Sequence, residues 1–101
     1  MTAGVSPARL PRLVAQIEAM GLPYEAQLGV GLCRVGVASA AEVAGVRGAA
    51  TALGGHAVVT DGPDELREDP WGPPPAGAAI MRRLREGLDP AGILNPGRAP
   101  A

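Results

Sequence analysis

A chain of 101 residues with no phenylalanine, one tryptophan and one tyrosine holds few side chains large enough to fill a core, and a chain of this size buries only roughly two-thirds of its unfolded surface. Nine basic residues, all arginine, stand against ten acidic ones for a net charge of -1, which gives no basic field for nucleic acid and no polybasic patch for a membrane surface. The single cysteine, Cys33, excludes an internal disulfide framework and a cysteine-rich metal site and fits a reducing, cytoplasmic setting.

Ser6 and Pro7 have the form of a helix N-cap and first helical position, after which Leu10, Leu13, Val14, Ile17 and Met20 recur on one face until Gly21 and Pro23 stop the helix. Arg9, Arg12 and Glu18 interrupt the apolar pattern, so this stretch reads neither as a secretion peptide nor as a transmembrane span. Residues 24–37, YEAQLGVGLCRVGV, alternate as a strand does, with Leu28, Val30 and Leu32 on one parity. After Leu32 the apolar parity moves to Cys33, Val35 and Val37, which predicts a bulge or burial on both faces. Ser39 and Glu42 make a capping box, and Val43, Val46, Ala50 and Leu53 continue a helical stripe that ends at Gly54 and Gly55. His56 to Gly62, HAVVTDG, reads as a short strand and turn. An acidic, proline-rich loop centred on Trp71 follows, then a helix over about residues 75–87 with Ile80, Met81, Leu84 and Leu88 on one side and Arg82, Arg85 and Glu86 on the other.

The expected class is therefore α+β, in the order helix, strand, helix, strand, helix. Two strands cannot close a stable sheet in water, so the expectation is a sheet completed by another chain or by further sequence, and a domain of marginal stability that needs a neighbour.

Side-chain catalysis finds little support in these residues. His56 is the only histidine and reads as structural at a strand start. Cys33 sits in an apolar strand, where a thiol behaves as a small hydrophobe. The segment LGVGL lacks the G-x-G-x-x-G spacing and the following helix of a phosphate loop; it reads as a strand packed closely, or as one passing a flat cofactor or substrate. Asp64, Glu65, Glu68 and Asp69 lack the ligand alternation of a calcium loop. No catalytic residue and no metal ligand is assigned. Trp71 reads as an anchor for its loop.

The end of the chain is more specific. Residues 88–98, LDPAGILNPGR, fix φ at Pro90 and Pro96 and place Gly92 and Gly97 two residues or less behind them, which describes two successive turns around Ile93 and Leu94. With the preceding amphipathic, arginine-bearing helix, residues 80–98 resemble the C-terminal signature of FAD-linked oxidases of the vanillyl-alcohol oxidase type. Within that group the chain is most similar to the FAD-binding subunits of bacterial glycolate oxidases, where a glycine-bearing strand, a helix and a segment like ALGGHAVV precede the same tail; the resemblance runs from about Leu10 to Arg98.

The resemblance implies a partial cap domain over residues 1–88, covering the substrate side of a flavin, and a tail over residues 89–101 that docks on an FAD-binding domain. In that arrangement Asp89 caps the turn, Pro90 and Gly92 reverse the chain, Ile93 and Leu94 are buried, and Asn95, Pro96 and Gly97 lie at the cofactor-domain interface. The implied activity is oxidation of a small 2-hydroxy acid such as glycolate, with FAD held by a domain not present in this chain and accepting hydride from the substrate α-carbon. The implied partners are that FAD-binding domain or subunit and other oxidase subunits. The glycine-rich pyrophosphate-binding domain of the family and the histidine-rich metal and substrate motif of related D-lactate dehydrogenases have no counterpart here. The expectation is thus a fragment of a truncated, split or frameshifted gene, inactive alone. A reading from another class is a free-standing αβ interaction or ligand-binding module that pairs its strands with a second copy.

Overall fold

The computed structural model describes residues 1–99; Pro100 and Ala101, which end the expected tail segment, lie outside the described residues. Four strands, β1 (Thr2–Gly4), β2 (Tyr24–Gln27), β3 (Leu32–Val35) and β4 (His56–Val58), form one sheet in the order β2-β3-β1-β4. Every neighbouring pair is antiparallel. The helices are α1 (Leu10–Ala19), entered through a 3₁₀ turn at Pro7–Arg9, α2 (Ala40–Ala52), the single turn α3 (Asp64–Arg67) and α4 (Ala78–Leu88). The fold is α+β, as expected, and the order β1-α1-β2-β3-α2-β4 on such a sheet is the split βαβ, ferredoxin-like arrangement.

The sheet differs from the sequence expectation in two ways. First, all four strands come from this chain, so no outside strand is needed to make a sheet; β1 escaped notice because three residues, Thr-Ala-Gly, carry no periodicity. Second, the stretch read as one strand is a hairpin. Its turn is built where the Gln27 carbonyl accepts from the amides of Val30 and Gly31, at 3.3 and 3.1 Å, and Gly31 takes φ +74°, a left-handed conformation open to glycine. The shift in apolar parity marks this reversal and not a bulge, and Leu28 and Val30 at the tip are exposed.

Both ends of α2 and the C-terminal end of α1 were legible, whereas α3 falls in the stretch expected to be a loop and α4 begins at Ala78, later than the expected 75. The Ser39 hydroxyl accepts from the Glu42 amide at 3.3 Å, while the Glu42 carboxylate accepts from the Ala38 amide at 2.7 Å, one residue upstream of the usual capping-box donor. At the C-terminus of α2 the amides of Gly54 and Gly55 donate to the carbonyls of Thr51 and Ala50, and at the end of α1 those of Gly21 and Leu22 donate to Glu18 and Ile17. Both are Schellman closures. Ser6 departs from expectation: its side chain makes no capping bond, and its carbonyl instead accepts from Arg9 to close the 3₁₀ turn.

Two compact units divide the chain, Met1–Pro70 and Trp71–Ala101. In the first, α1 contributes Leu10, Leu13 and Ile17 and α2 contributes Val43, Val46, Ala49 and Ala50 to one buried cluster with Ala3, Cys33, Val35 and Ala57 of the sheet. Burying a leucine or isoleucine stabilises by about 1.5–3 kcal/mol, so the three large side chains of α1 dominate a core whose strand positions are mostly small. Arg47 of α2 ties down the end of this unit by donating to the carbonyls of Asp69 and Pro70 at 2.6 and 2.8 Å. The second unit holds α4 and the chain beyond it. Its one buried hydrophobic residue among those described is Ala78.

Candidate functional site

In the first unit the residues weighed for chemistry are accounted for structurally. The glycines of LGVGL shape the hairpin, and their backbone is occupied: the Gly31 amide donates to Gln27 and its carbonyl accepts from Val5 at 3.0 Å. A β-carbon at Gly31 would lie 2.1 Å from the Val5 carbonyl oxygen, so close packing against the residue that follows β1, together with the left-handed φ, demands glycine here. With its amide already donated to Gln27, Gly31 offers no free N–H to a flavin pyrophosphate.

His56 stands opposite Gly4 in the β1–β4 register, and its ring fills the space a β-carbon at Gly4 would need, 2.8 Å from Cε1. The nearby acids are engaged elsewhere: Asp61 accepts from the Gly62 amide at 2.8 Å and Asp64 pairs with Arg67. Cys33 is fully buried, and that burial pushes its thiol above the ordinary range, away from nucleophile chemistry. Tyr24 donates to the Glu18 carboxylate at 2.5 Å; this hydrogen bond, with smaller help from desolvation and the Glu18 charge, raises its phenol. Among the described residues no three His, Cys, Asp or Glu side chains gather as a metal site, and no helix is long and apolar enough to cross a membrane.

The second unit assembles the tail more tightly than composition foretells. The first turn closes when the Gly92 amide donates to the Asp89 carbonyl at 3.1 Å, with Pro90 in the second turn position that proline favours. The Asp89 carboxylate then reaches forward, Oδ1 accepting from the Ile93 amide at 3.1 Å and Oδ2 from the Leu94 amide at 2.9 Å. A second turn closes from the Arg98 amide to the Asn95 carbonyl at 3.2 Å. Pro96 and Gly97 occupy its centre, and Gly97 has φ +76°, as a type II turn requires at its third residue. Asn95 itself sits at φ 43°, in the left-handed region that asparagine tolerates better than most residues.

Trp71 completes the arrangement by donating its indole Nε1–H to the Arg98 carbonyl at 2.9 Å. An open concavity of about 440 Å³ results, lined by Trp71, Arg85, Asp89, Leu94 and residues 95–99. The three residues singled out from the tail, Asn95, Pro96 and Gly97, all line it. Ile93 and Leu94 are 75% and 67% exposed, and Ile80, Met81, Leu84 and Leu88 of α4 are exposed as well, Leu88 the most. The sequence reading missed what Trp71 holds. A lone tryptophan among prolines signalled an anchor but could not name a backbone carbonyl 27 residues away as its partner.

Residues 70–99 match the family model described as FAD linked oxidases, C-terminal domain. The match supports this stretch as part of the C-terminal domain of an FAD-linked oxidase, and its limits nearly coincide with the second compact unit. It is narrower than the span over which the sequence resemblance was drawn. No curated protein and no solved structure matches the chain.

Proposed function

We propose that the chain is the C-terminal part of an FAD-dependent oxidoreductase of small 2-hydroxy acids, glycolate among them, and that its tail from Asp89 onward docks on an FAD-binding domain carried elsewhere. The carrying observation is the pairing of a family match over residues 70–99 with a tail held in one shape while Ile93 and Leu94 stay exposed. Ordering aliphatic side chains against water is unfavourable unless a partner later removes them from it. FAD is bound by the partner domain and other oxidase subunits complete the assembly in the cytoplasm. In isolation the chain supplies surface and no turnover. Mixing it with a flavin-loaded FAD-binding domain of such an oxidase tests the reading: the expected result is association and glycolate oxidation by the mixture alone, and neither association nor turnover sinks it.

A second reading is favoured by one observation, that residues 1–70 supply all four strands of their own sheet. On that reading the chain is a self-contained module that self-associates through its edge strands. Sedimentation separates the two, because a discrete dimer supports the module. The exposed Ile93 and Leu94 weigh against it.

A further inference from the structure

We infer that Trp71 is a positioning residue for the C-terminal tail: its indole N–H holds the Arg98 carbonyl so that the shape of residues 89–98 is set within this chain before any partner arrives. The inference rests on the docking reading for its purpose but not for its physics. Three features carry it.

The first is directionality. Tryptophan offers one donor and no acceptor, and here that donor meets a carbonyl at 2.9 Å, well inside hydrogen-bond range. The second is placement. The Arg98 carbonyl follows directly on the second turn, whose closing bond is donated by the Arg98 amide to Asn95. Trp71 therefore fixes the far end of the tail, while Asp89 fixes its near end through the amides of Ile93 and Leu94. Ile93 and Leu94, held through their amides at the first of these clamps, are the aliphatic pair left exposed. The third is the exposure of the segment. None of residues 89–99 is buried, so apolar packing cannot hold this segment and hydrogen bonds with turn chemistry must. A segment ordered in advance loses less conformational freedom on association than one that folds on contact.

The chain has one tryptophan, so a nitrogen-correlated proton spectrum contains one indole N–H signal, and no assignment is needed to follow it. Two full-length variants approach the bond from opposite ends. Trp71→Phe keeps an aromatic ring and removes the donor; Gly97→Val keeps the donor and displaces the acceptor by straining the turn at φ +76°. With a net hydrogen bond of ordinary strength at stake, hydrogen exchange of the Ile93, Leu94 and Arg98 amides in Trp71→Phe is expected to quicken by about threefold to tenfold, and the indole exchange in Gly97→Val by a similar factor. Amides of β1, β3 and α2 serve as the internal reference and stay unchanged. An indole proton that exchanges as freely in the wild-type chain as in Gly97→Val overturns the inference, as does a tail whose exchange ignores Trp71→Phe. Association with the FAD-binding domain is measured separately. A wild-type chain with a protected tail that fails to bind that domain refutes the docking reading and leaves the latch standing, whereas an unprotected tail refutes the latch even if binding occurs.

Discussion

The two compact units are ordered by different physics. Residues 1–70 bury leucine, isoleucine and valine between two helices and a sheet, whereas residues 71–99 have one buried hydrophobic side chain, Ala78, and take their shape from turns, a carboxylate cap and an indole hydrogen bond. The first arrangement gains its stability from area removed from water. The second specifies a conformation at small energy and leaves its apolar groups outside. A chain can therefore be well shaped where it is not well buried, and the shaped, unburied part is the one that matches the oxidase family.

The contrast can be broken most directly in the helices. Leu13→Ala in α1 removes a fully buried side chain and is expected to lower stability by about 2–5 kcal/mol. Leu84→Ala in α4, at a position 58% exposed, is expected to stay within about 0.5 kcal/mol. Urea denaturation of both variants reads the difference directly, and equal losses would mean that α4 is packed as α1 is. A finer comparison uses two glycines with nearly the same φ. Gly31→Ala drives a β-carbon to within 2.1 Å of the Val5 carbonyl oxygen, with a loss of about 3 kcal/mol expected from overpacking and backbone strain together. Gly97→Ala meets nothing within 4 Å and carries only the left-handed penalty of about 1–2 kcal/mol, felt in the tail and not in the global transition.

Capping is expected to matter at about the same scale as the exposed glycine. Ser39→Ala removes the acceptor for the Glu42 amide and lowers stability by about 1 kcal/mol, measurable as a shift of the denaturation midpoint at constant slope. The smallest effect is the dependence on alkaline pH. Burial raises the Cys33 thiol in the folded chain, so the folded state holds its proton where the unfolded state, with a pKa of about 8.5, releases it. The corresponding stability is fully present below about pH 8.5 and declines as pH rises through the folded value. Tyr24, raised through its hydrogen bond to Glu18, acts in the same sense from about pH 10 upward. Cys33→Ala is expected to flatten the first part of this decline, and an unchanged slope between about pH 8.5 and pH 10 would show that the thiol does not contribute.

Local signals carried α1, α2 and the tail turns because the groups that close them lie within a few residues: Ser39 with Glu42, Gly54 with Thr51, Asp89 with Leu94; the single turn α3, inside the stretch read as a loop, gave no such signal. The sheet was harder to read. β1 is too short to show alternation, and its role is set only by Ala3 meeting Cys33 on one side and Ala57 on the other. The hairpin deceived for a different reason, since Leu28 and Val30 continue an apolar alternation into a turn where neither is buried. At the tail, the sequence located Asn95, Pro96 and Gly97, but the concavity they line with Trp71 depends on a contact across 27 residues that no local pattern encodes.

The placement of β1 also bears on the order of assembly. Its three residues stand in the middle of the sheet, yet Thr2 must meet Arg34 and Val58, so neither pairing of β1 can form until distant chain has been gathered. The β2–β3 hairpin, by contrast, needs only the closure from Gln27 to Leu32. Loop closure over long separations is slow and entropically unfavourable. The hairpin and the two capped helices are accordingly expected to form early, with β1 and β4 docking late, so that destabilising Ala57 would speed unfolding far more than it slows folding.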